Sequence, residues 1–109
     1  MTLFAHTPEP PYLAVIFSSS RHAKPNDGYD MMAEEMLILA AQQPGFLGVE
    51  TSRDEQGFGI TVSYWSNRKS IANWKQQTDH LAAQQQGKTE WYKEYHVRIC
   101  CVEEEYGIE

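Results

Sequence analysis

Apolar, β-branched and aromatic residues dominate Tyr12 to Ser18, and the chain turns polar from Ser19 to Asn26, with Pro25 and Asn26-Asp27-Gly28 in the turn. This reads as a strand that ends near Ser20, followed by a loop. Asp30 is positioned as an N-cap, after which Met32, Ala33, Met36, Leu37 and Ala40 recur at helical spacing, and Pro44-Gly45 stops the element. Phe46 to Arg53 alternates imperfectly, Asp54-Glu55-Gln56-Gly57 has turn chemistry, and Phe58 to Trp65 puts Phe58, Ile60, Val62 and Tyr64 on one face. These predict a hairpin of the second and third strands. Ser66 or Asn67 can cap a second helix with Ile71, Trp74 and Thr78 on one side. From His80 to Gln86 a short third helix or a bent continuation is expected, ending at Gly87. Trp91, Tyr92 and Tyr95 lead into a last strand with Tyr95, Val97, Ile99 and Cys101 on one face and His96, Arg98, Cys100 and Val102 on the other.

The order β-α-β-β-α-β predicts an α+β, ferredoxin-like domain: a four-stranded antiparallel sheet with both helices on one face. The other face of such a sheet carries apolar rows that water does not favour, and the simplest cover is a second copy of the chain in a two-fold homodimer.

Length and charge narrow the function. The 109 residues fit one domain, spanning 1–109, with a core from about 12 to 106, a Pro-rich N-terminal arm and an acidic C-terminal tail. Nine Lys and Arg against fifteen Asp and Glu leave a net charge of −6, so the basic field that nucleic acid requires is missing. The longest apolar run, Leu13 to Phe17, is far too short to cross a bilayer, and the opening residues lack the basic and apolar regions of a signal peptide. A soluble, cytoplasmic protein is expected. Adjacent Cys100 and Cys101 are expected as reduced thiols, one of them buried, and neither their spacing nor the scattered His6, His22, His80 and His96 has metal-site geometry. No G-x-G-x-x-G follows a strand, so no nucleotide cofactor is expected, and no other cofactor either.

Five stretches carry a family resemblance: Pro44-Gly45-Phe46-Leu47-Gly48-Val49-Glu50, Val62-Ser63-Tyr64-Trp65-Ser66, Ile71-Ala72-Asn73-Trp74, His80-Leu81-Ala82-Ala83-Gln84 and Trp91-Tyr92-Lys93-Glu94-Tyr95. The sequence resembles the antibiotic biosynthesis monooxygenase (ABM) family of dimeric α+β barrels from about Tyr12 to Tyr106. That fold hosts cofactor-independent quinone-forming monooxygenases and haem-degrading enzymes, so fold analogy alone does not choose between them. The haem-degrading branch has a cavity-facing tryptophan where this chain has Trp74, a histidine ligand where it has Gln84, and a strand-one asparagine that falls near Phe17 or Ser18. Two of those three are absent, which disfavours haem binding or degradation; a shift of ligation to His80, one turn before Gln84, would be needed.

The quinone-forming branch has a polar or phenolic group roughly six positions after its helix-two tryptophan, where this chain has His80. The resemblance therefore implies oxygenation of a small aromatic or quinol substrate by O₂. His80 is the base or hydrogen-bond donor, Trp74 the second catalytic candidate, and Tyr64, Met36, Phe17, Gln84 and Arg98 the pocket. The bland readings stand beside these: His80 as a solvent-facing helix residue, Trp74 as core, Met36 as gap-filler, and Arg98 as one half of an ion pair rather than an anchor for an anionic substrate. A non-catalytic dimer that binds a small hydrophobic ligand is the alternative function.

Overall fold

The computed structural model describes residues 3–22, 28–84 and 91–108, with side chains described except at 82–84. Six elements follow the expected order: β1 (Tyr12–Arg21), α1 (Tyr29–Ala41), β2 (Phe46–Arg53), β3 (Phe58–Trp65), α2 (Arg68–Gln84) and β4 (Tyr92–Val102). All neighbours in the sheet are antiparallel and the strand order is β2-β3-β1-β4, the ferredoxin-like arrangement. The β2–β3 turn is closed by Asp54, whose N–H donates to the Phe58 carbonyl at 2.8 Å and whose Oδ1 accepts from the Phe58 N–H at 2.9 Å.

Three expectations are corrected. The N-cap of α1 is Gly28, not Asp30: its φ of 82° is a left-handed conformation that costs glycine nothing, and Asp30 falls in the first turn, where its charge opposes the positive end of the helix dipole. Of the two readings for the stretch from His80, the continuation holds and the separate third helix does not form, because α2 runs on to Gln84. The Thr78 hydroxyl donates back to the Lys75 carbonyl at 3.1 Å and Asp79 pairs with Lys75 at 2.6 Å, so both polar side chains are satisfied within the helix. The expected stop at Gly87 lies outside the described residues. Both cysteines are exposed and free, on opposite faces of β4, because the outermost strand has a neighbour on one side only. Of the two possible caps for α2, Asn67 serves: its Oδ1 accepts from the Ser70 N–H at 2.8 Å.

The register divides the strands into two faces. Leu13, Val15, Phe17 and Ser19 of β1 share the helix side with Ser63 and Trp65 of β3 and with Tyr95, Val97, Ile99 and Cys101 of β4. The core lies there: Val15, Ala40, Trp65 and Ile71, with Leu13, Phe46 and Trp74 packed around them. Trp65 is fully buried, edge-on to Phe46 at 5.4 Å and tilted against Trp74 at 5.2 Å, and its Nε1–H donates to Ser63 Oγ at 2.8 Å. The chain turns from β3 into α2 hard against Gly45, where a Cβ would come within 2.8 Å of Ser66 Oγ and Asn67 Nδ2. The opposite face carries Tyr12, Ala14 and Ile16 of β1, Phe58, Ile60, Val62 and Tyr64 of β3, and His96, Arg98, Cys100 and Val102 of β4. The apolar row of β3 and that of β4 thus point to opposite sides of the sheet.

Candidate active site

The helix side has an apolar strip that the helices leave partly open. On β4, Tyr95 is 39%, Val97 50% and Ile99 40% exposed, although all three stand on the same face as the core. Phe17 stacks on Tyr95 at 5.5 Å and meets Tyr92 edge-on at 5.4 Å, while Tyr92 also meets Tyr95 at 5.8 Å. A half-exposed apolar strip with aromatic rings packed along it suits a flat hydrophobic ligand.

One end of this strip is polar. Tyr92 donates to the Tyr29 hydroxyl at 3.4 Å, and Arg53 Nη2 donates to the same hydroxyl at 3.1 Å and to Ser19 Oγ at 2.8 Å. The Arg21 guanidinium lies 3.7 Å from the centre of the Tyr29 ring. Burial, followed by the hydrogen bond to Tyr29, pushes the Tyr92 phenol well above the usual tyrosine range against the pull of the two arginine charges. Tyr92 therefore stays neutral at physiological pH, its O–H directed at Tyr29, and is no base. Tyr29, Arg53 and Tyr92 carry no sequence signal of a site, since they stand at the start of a helix and the ends of two strands and meet only through the sheet register.

The residues singled out from sequence do not all meet. Phe17 forms part of the strip. Trp74 is half-buried against Trp65, and its Nε1–H donates to the Met36 carbonyl at 3.0 Å, which fastens α2 to α1 and places Met36 beside it. His80 is exposed: six residues beyond Trp74, at about 100° per residue, it sits on another flank of α2 from buried Ile71 and Thr78. The side chain of Gln84 lies outside the described residues.

Tyr64 and Arg98 stand on the far face of the sheet. There Tyr64 donates to Glu50 at 2.6 Å and Tyr12 donates to Glu105 at 2.6 Å, with the two rings edge-on at 5.8 Å. The sheet separates both residues from Phe17 and Trp74, because strand alternation puts even and odd positions of β1 on opposite sides. Burial, reinforced by the Glu50 carboxylate, raises the Tyr64 phenol far above its ordinary value. His96, on the same face as Arg98, pairs with Glu94 at 2.7 Å. Among the described residues no group of three His, Cys, Asp or Glu side chains could hold a metal, and no helix is long and apolar enough to cross a membrane.

The family model of antibiotic biosynthesis monooxygenases matches residues 31–86, from α1 through α2. The chain belongs to this family. It is 50% identical over 103 residues to the uncharacterized protein YqjZ of Bacillus subtilis (strain 168), covering 94% of this chain and 90% of that one. It is also 28% identical over 90 residues to the jasmonate monooxygenase ABM of Pyricularia oryzae, where the match takes in 79% of this chain and 41% of that protein. Among solved structures, SnoaB, a cofactor-independent oxygenase from Streptomyces nogalater, superposes with a TM-score of 0.64 at 12% identity, over 91% of this chain and 98% of that one. A likeness at that identity shows the shared ferredoxin-like ABM fold.

Proposed function

We propose that this ABM-family chain is a cytoplasmic homodimer that oxygenates a small aromatic or quinol-type substrate with O₂, the substrate itself supplying the electrons. An activated CH₂ beside a phenol loses a proton, the resulting carbanion passes one electron to O₂, and the radical pair joins as a peroxide. Loss of water leaves a carbonyl, so one oxygen atom enters the product and the other leaves as water. The protein contributes a dry wall, a fixed orientation and a donor to the developing oxyanion.

The observation that carries this reading is the half-open strip of Phe17, Tyr95, Val97 and Ile99 with the neutral phenol of Tyr92 at its end. Family membership and the oxygenase names of two similar proteins support it. The exposed apolar row of β3, with Phe58 at 50% and Ile60 at 42%, supports pairing through the far face of the sheet.

A non-catalytic ligand-binding dimer is the second reading. What favours it is that the Trp74 N–H is already bonded to Met36 and that His80 is exposed, away from the inner flank of α2. Oxygen-electrode assays with quinols and polycyclic phenols, run beside an anaerobic thermal-shift screen, separate the two. Stabilisation together with oxygen uptake supports the enzyme, whereas stabilisation without uptake supports the binding protein. In the active case His80→Ala tests the base: at least about a hundredfold loss of turnover with unchanged binding assigns it that role, and unchanged turnover removes it.

A further inference from the structure

The far face of the sheet is divided. At one end the chain's own terminal segments lie against it: the Ala5 N–H donates to Glu50 at 3.0 Å, the Thr7 hydroxyl is 3.0 Å from the Tyr12 hydroxyl and 3.1 Å from Glu105, and Tyr12 and Ala14 are buried there. Next to that end one row runs straight across all four strands, with Glu50 opposite Val62, Val62 opposite Ile16 and Ile16 opposite Arg98. Directly opposed residues point to the same side, so the row has a carboxylate at the β2 edge, two aliphatic side chains in the middle and a guanidinium at the β4 edge. Three strand spacings of about 4.8 Å separate Glu50 from Arg98 by about 14 Å, too far to pair within one chain. The groups that donate to Glu50, the Tyr64 hydroxyl and the Ala5 N–H, are neutral. Arg98 is exposed and makes no hydrogen bond or ion pair among the described residues, while Glu94, further along the same face, is taken by His96 at 2.7 Å.

A row with opposite charges at its ends and an apolar middle is complementary to itself. A two-fold axis that lies between two such faces, parallel to the strands and midway between β3 and β1, reverses the row. It sets Glu50 of each copy over Arg98 of the other and Val62 over Ile16. Packed sheets stand about 10 Å apart, a gap that an arginine and a glutamate reaching toward each other can close. An axis across the strands would instead oppose Glu50 to Glu50 and Arg98 to Arg98, which like charges resist. We propose that the two copies meet with their strands aligned and that Arg98 pairs with the partner's Glu50 at both ends of this row. The aliphatic side chains supply the burial and the two ion pairs select the orientation. The inference rests on the homodimer pairing through this face, and it does not depend on turnover.

Sedimentation velocity of the full chain over a range of concentrations tests it. Arg98→Glu opposes two pairs of like charges and is expected to weaken the dimer at least about a hundredfold at low salt, and less in about 0.5 M NaCl. Glu50→Arg is expected to do the same. An equimolar mixture of the two variants should form a heterodimer within about tenfold of the parent's affinity, because both contacts then join opposite charges. Glu50 also holds Tyr64 and Ala5, so a second variant keeps the test decisive if Glu50→Arg unfolds. Glu50→Gln in the Arg98→Glu chain removes the repulsion and should recover at least about tenfold of the lost affinity. A dimer unaffected by Arg98→Glu, or a loss that neither the mixture nor Glu50→Gln recovers, overturns the ion pairs and leaves the homodimer standing. A parent chain that stays monomeric overturns the homodimer, and this inference with it.

Discussion

Replacing Trp74 with Phe separates a packing role from a chemical one. The substitution removes the N–H that reaches the Met36 carbonyl at 3.0 Å and reduces a ring packed against Trp65 at 5.2 Å. The lost hydrogen bond is worth about 1 kcal/mol, and the space left beside a fully buried Trp65 adds a comparable amount, since a ring–ring contact survives in part. Together these give about 2 kcal/mol, or a melting point lower by about 10 °C for a domain of this size. Urea unfolding at fixed protein concentration measures it, and the midpoint should fall with an unchanged slope. Anaerobic affinity for a quinol or phenol ligand should stay within about threefold, because the indole N–H is spent on α1. A variant with stability within about 0.5 kcal/mol of the parent, but with turnover abolished, would refute this: the N–H would then serve the substrate rather than the helix pair.

Tyr64 and Tyr92 both have folded-state pKa values raised above the ordinary 10.0, so folding favours their neutral forms. The stability they contribute is complete below pH 10 and is lost as pH rises above it; melting curves from pH 8 to 11 should fall steeply at the alkaline end, and Tyr92→Phe should flatten that fall. Asn67→Ala removes the acceptor for the Ser70 N–H and should cost about 1 kcal/mol in urea unfolding. Ile60→Lys places a charge in the exposed apolar row of β3, and light scattering should show a shift from dimer toward monomer with little change in the monomer's circular dichroism. An unchanged dimer would move the interface to another surface.

Element order was legible because each segment states its own period. Alternation marks β3 and β4, a helical stripe marks α1, and Pro44-Gly45 and the Asp54–Gly57 turn punctuate them. Element boundaries depended on local hydrogen bonding that composition does not reveal. Gly28 took the cap from Asp30 through a backbone conformation, and the Thr78 hydroxyl stayed within α2 by bonding backward. The candidate site was less legible. Phe17 and Trp74 were named through the family likeness and share the helix side, but Tyr64 and Arg98 could be grouped with them only while the facing of each strand was unknown. Alternation gives the two faces of a strand, and nothing in a single strand says which one meets the helices. The register decided that, putting the apolar row of β3 on the far side and that of β4 on the helix side, where it forms the strip. It also drew Arg21 from β1, Tyr29 from α1, Arg53 from β2 and Tyr92 from β4 to one point. The sequence by itself determined the elements and their order, because period and punctuation are local; the tertiary structure alone decided which side chains share a site, because that depends on how distant strands pair.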